Sequence, residues 1–192
     1  QAAHVRKATL VDRVARAVEL VQAEPEEPWL IWTGTNDESK LMAKHIPDAV
    51  EVTGSDKAED KAQALLDFAE GRSRVLVTKA GIAGFGMNFQ RCARMVFVGL
   101  GYSYEQYYQA LRRCHRFGQT RKVVAHIIVS EPERSILETV RAKERQANDL
   151  STGLLSEVRE YERAELFHGT SAGDDYEPRR DLTLPSWMKE SA

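Results

Sequence analysis

WLIWT, Trp29–Thr33, is an unbroken apolar run that follows the helix-breaking segment EPEEP, Glu24–Pro28. A short run without polar alternation predicts a strand buried on both faces. Four more segments read as strands: AVEVT (Ala49–Thr53), RVLVT (Arg74–Thr78), MVFVG (Met95–Gly99) and KVVAHIIVS (Lys122–Ser130). Helical patterns fall between and around them. Leu10, Val14, Ala17, Val18 and Val21 mark a stripe over Thr9–Ala23, with Thr9 as N-cap. Asn36 caps a helix to about His45, and Ser55 or Asp56 one to Glu70 that buries Ala62, Leu65, Leu66 and Ala69. Gly71 then stands where a left-handed terminator belongs. Further helices are predicted over Ser103–Phe117 and from near Pro132, an acceptable first-turn proline, to about Leu150. The alternation predicts an α/β fold, a parallel sheet of about five strands with helices on both faces. Ligands bind such sheets where the strands' carboxyl ends feed their loops. Thr33, Gly54, Thr78 and Gly99 fall at that edge.

Composition sets the bounds. The chain has 192 residues, 42% hydrophobic and 29% charged, the profile of an ordinary globular protein. A net charge of -2 and a pI of about 6.3 leave no overall basic field, so any nucleic-acid contact rests on a local patch. Cys92 and Cys114 form no CxxC pair and read as reduced intracellular thiols; His115 beside Cys114 lacks the spaced partners a metal site needs, and no metal is expected. No apolar run reaches membrane-spanning length and no signal-peptide pattern is present, so a cytoplasmic setting without membrane contact is expected. A first residue Gln1 in place of Met suggests a piece of something longer. Residues 1–28 read as linker and leading helix, 29–150 as the α/β lobe, and 151–192 as a helical and flexible tail. In that tail Ser156–Leu166 suits a surface helix, while Gly169–Ala192 is polar and proline-punctuated.

The chemistry sits in two stretches. YEQYYQALRRCHRFGQ, Tyr104–Gln119, predicts one helix with Gln109, Arg113 and Arg116 on a single face. Planar, permanently charged guanidinia suit a grip on phosphate oxygens; a solvated basic face is the plainer reading. VLVTKAGIAGFGMNFQ, Val75–Gln90, places Gly81, Gly84 and Gly86 directly after the third strand. Glycines there let backbone approach a phosphate, or simply make a tight turn. The order G-x-x-G-x-G after a third strand, with no acid about twenty residues on, rejects a dinucleotide site. No G-x-x-x-x-G-K-[ST] loop is present, and Asp37-Glu38 reads as first-turn helix acids. No nucleophile–base pair or paired carboxylates appear.

Together these motifs resemble the Swi/Snf-type branch of superfamily-two helicases. Gln109, Ala110, Arg113, Arg116, Gly118 and Gln119 match its motif VI, Q-A-x-x-R-x-x-R-x-G-Q. Gly84, Gly86 and Asn88 match the G-x-G-x-N core of motif V. WLIWT is similar to the strand of motif IV, and Thr53-Gly54 with the following helix to the segment between motifs IV and V. The wording around motif VI is especially close to the helicases of this branch in phages and prophages. Departures are Ile82-Ala83, an insertion inside motif V, Lys61 where arginine is usual, and Gly101-Tyr102-Ser103 in place of Trp-Asn-Pro. These argue against nucleosome-type remodelling.

The resemblance implies the second of two RecA-like lobes. Arg113 and Arg116 would then be arginine fingers to ATP, with Gln109, Gly84, Gly86 and Asn88 binding or coupling to it. ATP and Mg2+ would be held mainly by an N-terminal lobe of the same polypeptide. Thr33, Thr78 and Lys79 would touch a nucleic-acid backbone, DNA in the leading reading. The expected protein is a monomeric helicase or translocase in a bacterial or phage-infected cell, and this chain alone is expected to be inactive. The alternative is a non-catalytic module of the same fold that binds nucleic acid or protein. Tyr102, Tyr104, Tyr107 and Tyr108 suit base stacking, though their helical spacing suits core or interlobe packing better.

Overall fold

The computed structural model describes residues 7–83, 87–99 and 103–168, with side chains for all of these except 132 and 161–168. Contacts divide the chain after residue 146. The first unit carries a five-stranded parallel sheet in the order β2-β3-β1-β4-β5. Its strands are β1 (Trp29–Thr33), β2 (Ala49–Glu51), β3 (Val75–Thr78), β4 (Arg94–Val98) and β5 (Val124–Ile128). The most apolar strand sits in the centre: every residue of β1 is buried.

Strand residues alternate between two cores. Leu30, Trp32, Leu76, Met95 and Phe97 face one side, where Leu65 and Phe68 of α3 (Ala58–Glu70) and Ala110 of α4 (Tyr104–Leu111) pack. Trp29, Ile31, Val75, Val77, Val96 and Val98 face the other. There they meet Val14, Ala17 and Val21 of α1 (Leu10–Ala23) and Met42 of α2 (Asn36–His45). Helices thus cover both faces, the reason the strands read as continuous apolar runs.

Several local expectations change. Thr35, not Asn36, caps α2, its hydroxyl accepting from the Glu38 amide while Glu38 reaches back. Asp56 does not cap α3; it accepts from the amide and hydroxyl of Thr53 and closes the preceding turn, so α3 starts at Ala58. Its buried face is Leu65 and Phe68, and Leu66 is 43% exposed. Gly71 does end α3 in the left-handed region, with φ 81°. Beyond a short 3-10 turn at Glu131–Glu133, α5 (Arg134–His168) runs unbroken where two helices were expected. Ser151 and Thr152 return their hydroxyls to carbonyls one turn back and do not interrupt it. The stretch Gly169–Ala192 lies outside the described residues.

Glu38 is more than a first-turn acid. It is fully buried, takes the amides of Gly34 at 2.7 Å and Thr35 at 2.9 Å, and pairs with Arg13 at 2.7 Å. Arg13 Nε also lies 3.6 Å from Glu133, which accepts the amide and hydroxyl of Ser130. One buried guanidinium therefore ties α1 to the loop after β1 and to the start of α5. Removing one partner of a buried ion pair leaves uncompensated charge, so Arg13→Ala should lower unfolding free energy by about 3–5 kcal/mol in urea denaturation. A loss below about 1 kcal/mol, the exposed-pair range, would show that water already reaches the triad.

Candidate functional site

β1 leads into α2 on one face of the sheet, whereas the neighbouring β4 leads into α4 on the other. Loops that leave in opposite directions open a crevice between the two carboxyl ends. A cavity of about 390 Å³ lies there, with Thr33 and Gly34 on one side and Gly99 and Ser103 on the other. Gly99 has φ 82°, a turn that suits glycine alone. Lys79, Ala80 and Gly81, after β3, form the third wall. A second cavity of about 340 Å³ shares Ala80, Gly81, Ser103 and Gln106 with it and continues to Gln109 and Arg113. The fold thus brings Thr33, Lys79, Gln109 and Arg113 to one continuous groove.

The candidate backbone contacts differ in availability. Thr78 is fully buried and its hydroxyl donates to Val52 O at 3.1 Å; Thr33 donates to Thr78 O at 3.4 Å. Both hydroxyl protons are used inside the sheet. Among the described residues Lys79 Nζ donates to the neutral side chain of Asn36, at 2.6 Å. A phosphate can take that ammonium without breaking an ion pair.

The arginine stretch is not one helix. α4 ends at Leu111, and Arg113 and Arg116 sit in the turns beyond it, so the single helical face expected for them does not form. The Phe89 amide donates to Arg113 O at 2.9 Å, diverting that carbonyl from the helical ladder. Cys114 is pulled into the core. Gln119 Nε2 donates to the carbonyls of Gln90 at 2.8 Å, Cys92 at 3.2 Å and Cys114 at 3.4 Å, and Gln90 Nε2 donates to Phe117 O. Gly118, with φ 90°, makes the return possible; a β-carbon there would lie 2.8 Å from Gln90 Nε2.

This clasp decides what each arginine can do. Arg113 is 9% exposed and its Nη1 donates to Met87 O at 3.4 Å. Burial, and then the like charge of Arg116, push its guanidinium below the usual arginine range. Arg116 is exposed, beside Phe117, which is 99% exposed. Gln109 is exposed on the wall it shares with Arg113. Asn88 is exposed in the segment that carries Met87 and Phe89, and Gly84 and Gly86 lie outside the described residues. Sequence reasoning missed Gln90, whose only signal was its place one residue after Phe89, and it gave Gln119 no structural part.

Cys92 and Cys114 are both buried free thiols under the clasp. A hydrogen bond that the Cys114 thiol gives to Cys92, and then burial, push the Cys114 thiol far up. Among the described residues no three His, Cys, Asp or Glu side chains are grouped to hold a metal, and no helix is long and apolar enough to cross a membrane.

A five-stranded parallel sheet in this order, with helices on both faces, is the RecA-like fold of a helicase C-terminal domain. The chain belongs to the helicase conserved C-terminal domain family, whose pattern it matches over residues 12–118. Over 101 residues, 50% of this chain, it is 32% identical to the SWI/SNF chromatin-remodeling complex subunit snf22 of Schizosaccharomyces pombe and 31% identical to the chromatin structure-remodeling complex subunit snf21 of the same yeast. It spans only 6% and 8% of those two proteins' lengths. Two solved structures share the fold. The C-terminal part of the Fun30 ATPase domain superposes with TM-score 0.60 at 17% identity, covering 67% of this chain and 44% of that one. A variant of S. cerevisiae Dbp5 bound to RNA and ADP BeF3 gives 0.61 at 20% identity, covering 69% and 36%.

Two measurements check this geometry. Gly118→Ala puts a side chain into a left-handed residue and against Gln90, so it should cost about 1–3 kcal/mol of stability by denaturation; a neutral result would mean the clasp is slack. Asp56 has its carboxyl held below the usual range, first by the Thr53 amide and then by the Thr53 hydroxyl. The stability it adds is present above the unfolded value of about 3.9 and lost as pH falls through the lower folded value. An NMR titration should show Asp56 ionising below about 3.9 with the Thr53 amide shift following it; a midpoint at or above that value would contradict the turn.

Proposed function

We propose that this chain is the second motor lobe of an ATP-dependent DNA helicase or translocase, of the kind found in phages and prophages, working as a monomer in the cytoplasm of a bacterial or phage-infected cell. One observation supports this most: Arg113 is desolvated with the charge of Arg116 near it, at the end of a groove on the sheet's carboxyl edge. Planar guanidinia so placed suit the oxygens of a multiply charged anion. The terminal phosphates of ATP, presented by a facing lobe, are such an anion. Arg113 and Arg116 then stabilise the charge that spreads over the transferred phosphoryl group. Gln109 shares a wall with Arg113 and holds the approach, while Asn88 and the glycines Gly84 and Gly86 couple it to the loop after β3.

The residues present fit the phosphate end of the nucleotide and not its metal. The sequence has no phosphate-cradling loop, so the triphosphate and Mg2+ belong mainly to the first lobe, and this chain alone hydrolyses nothing. At the other end of the groove Lys79 takes a phosphate of the DNA backbone, a contact that positions without reading sequence. Thr33 and Thr78 join it only by exchanging their bonds within the sheet. Opening and closing of the cleft with each hydrolysis moves the two lobes along one strand.

The test is DNA-stimulated ATP hydrolysis by the two-lobe parent polypeptide. Arg116→Ala should lower the stimulated rate by about a thousandfold, the lower end of what an arginine finger supplies, and the 192-residue chain should be silent. An unaffected Arg116→Ala parent, or a parent that hydrolyses nothing, would leave only a binding module of the same fold.

A further inference from the structure

We infer that the cavity at the carboxyl edge is a nucleobase pocket: it receives one base of a single strand whose phosphate lies on Lys79. The inference rests on the nucleic-acid part of the function proposed above and adds what the site does with the base. Trp32, Phe97 and Tyr107 form an aromatic cluster. The Trp32 and Phe97 rings lie 6.4 Å apart and 25° from parallel, and Phe97 and Tyr107 lie 5.1 Å apart at 50°. Trp32 and Phe97 are buried, whereas Tyr107 is half-buried, and all three reach the cavity wall. Ala80, Gly81 and Ile82 line the same cavity, a slot whose lining is part aromatic and part slim aliphatic. Its volume of about 390 Å³ falls among ligand pockets of about 300–1,000 Å³.

The rim matches a nucleotide unit. Lys79 supplies the cation, with a neutral partner to give up. Gln106 brings an amide that both donates and accepts, as a base edge does. No carboxylate is among the described residues lining this cavity, so nothing there repels a polyanion. Aromatic faces that stack on bases beside a cation are the common means of holding single strands without reading sequence. A helix packing contact accounts for the Phe97–Tyr107 pair but not for the open slot beside it.

The experiment uses the 192-residue chain and two DNA strands about sixteen nucleotides long. One carries bases, with a central 2-aminopurine; the other is abasic throughout. The intact strand should bind about tenfold tighter than the abasic one, with the 2-aminopurine fluorescence quenched on binding and no displacement by excess free AMP. Tyr107→Leu should remove that preference and leave abasic affinity unchanged. Gly81→Leu is the second variant: Gly81 lines the cavity and a β-carbon there meets nothing within 4 Å, so the fold accepts the change, and the added bulk at the cavity wall should abolish the preference as well. Lys79→Ala should weaken both strands alike. Equal affinity for the two strands, unmoved by Gly81→Leu, overturns the pocket and leaves the Lys79 contact standing. Displacement by AMP overturns it in favour of a free-nucleotide site. Binding of neither strand overturns the pocket together with the nucleic-acid reading.

Discussion

The hydrogen bond from the Phe89 amide to the Arg113 carbonyl is the constraint on which the site depends. It fastens the turn that follows α4 to the segment at Phe89, and Arg113 is buried in that turn. Gln119 and Gln90 complete the fastening from both sides, each giving its side-chain amide to backbone carbonyls of the other segment. A long charged side chain left on a free helix would sample many rotamers, and ordering it at the moment of binding would cost entropy. Here the ordering is done on folding. Arg113 is fixed and desolvated, while Arg116, one turn on, stays exposed.

The sheet divides the work between the two ends of one groove. Loops after β1 and β4 leave toward opposite faces, and the crevice they open is a consequence of strand order alone. Arg113 and Gln109 stand at one end of it, Lys79 at the other, with the turn through Ala80 and Gly81 common to both cavities. Anything that shifts this turn moves both ends. The Arg13–Glu38–Glu133 triad steadies the side that faces it, because Glu38 holds the amides of Gly34 and Thr35 at the rim. On the function proposed above, these shared walls are a physical route between the phosphate and the strand.

Much of this was legible in the sequence, and the failures have physical causes. WLIWT and RVLVT announced buried parallel strands because both faces of the sheet are covered. Gly71 announced the end of α3 because no other residue takes its φ cheaply. The residue types of the arginine stretch pointed to phosphate chemistry, but their arrangement did not follow, since what ends α4 lies far off in sequence. Tyr104 to Phe117 has no proline and no glycine to mark the end of the helix at Leu111, and the contacts that hold the turns beyond it come from Phe89 and Gln90. Glu38 looked like an ordinary first-turn acid because its partner Arg13 lies 25 residues earlier. Leu66 was expected on the buried face of α3, but Leu65 and Phe68, three apart, are the residues that turn to the core.

The most direct test of the account is the structure of the two-lobe parent polypeptide bound to ADP and a fluoride mimic of the transferred phosphate, on DNA. The account requires Arg113 and Arg116 to reach the mimic at hydrogen-bonding distance, about 3 Å, with the Phe89–Arg113 and Gln119 contacts intact. A closed cleft in which both guanidinia stay beyond direct or water-bridged reach, more than about 6 Å from the mimic, would contradict it, and the arginine pair would then be a structural feature of this lobe.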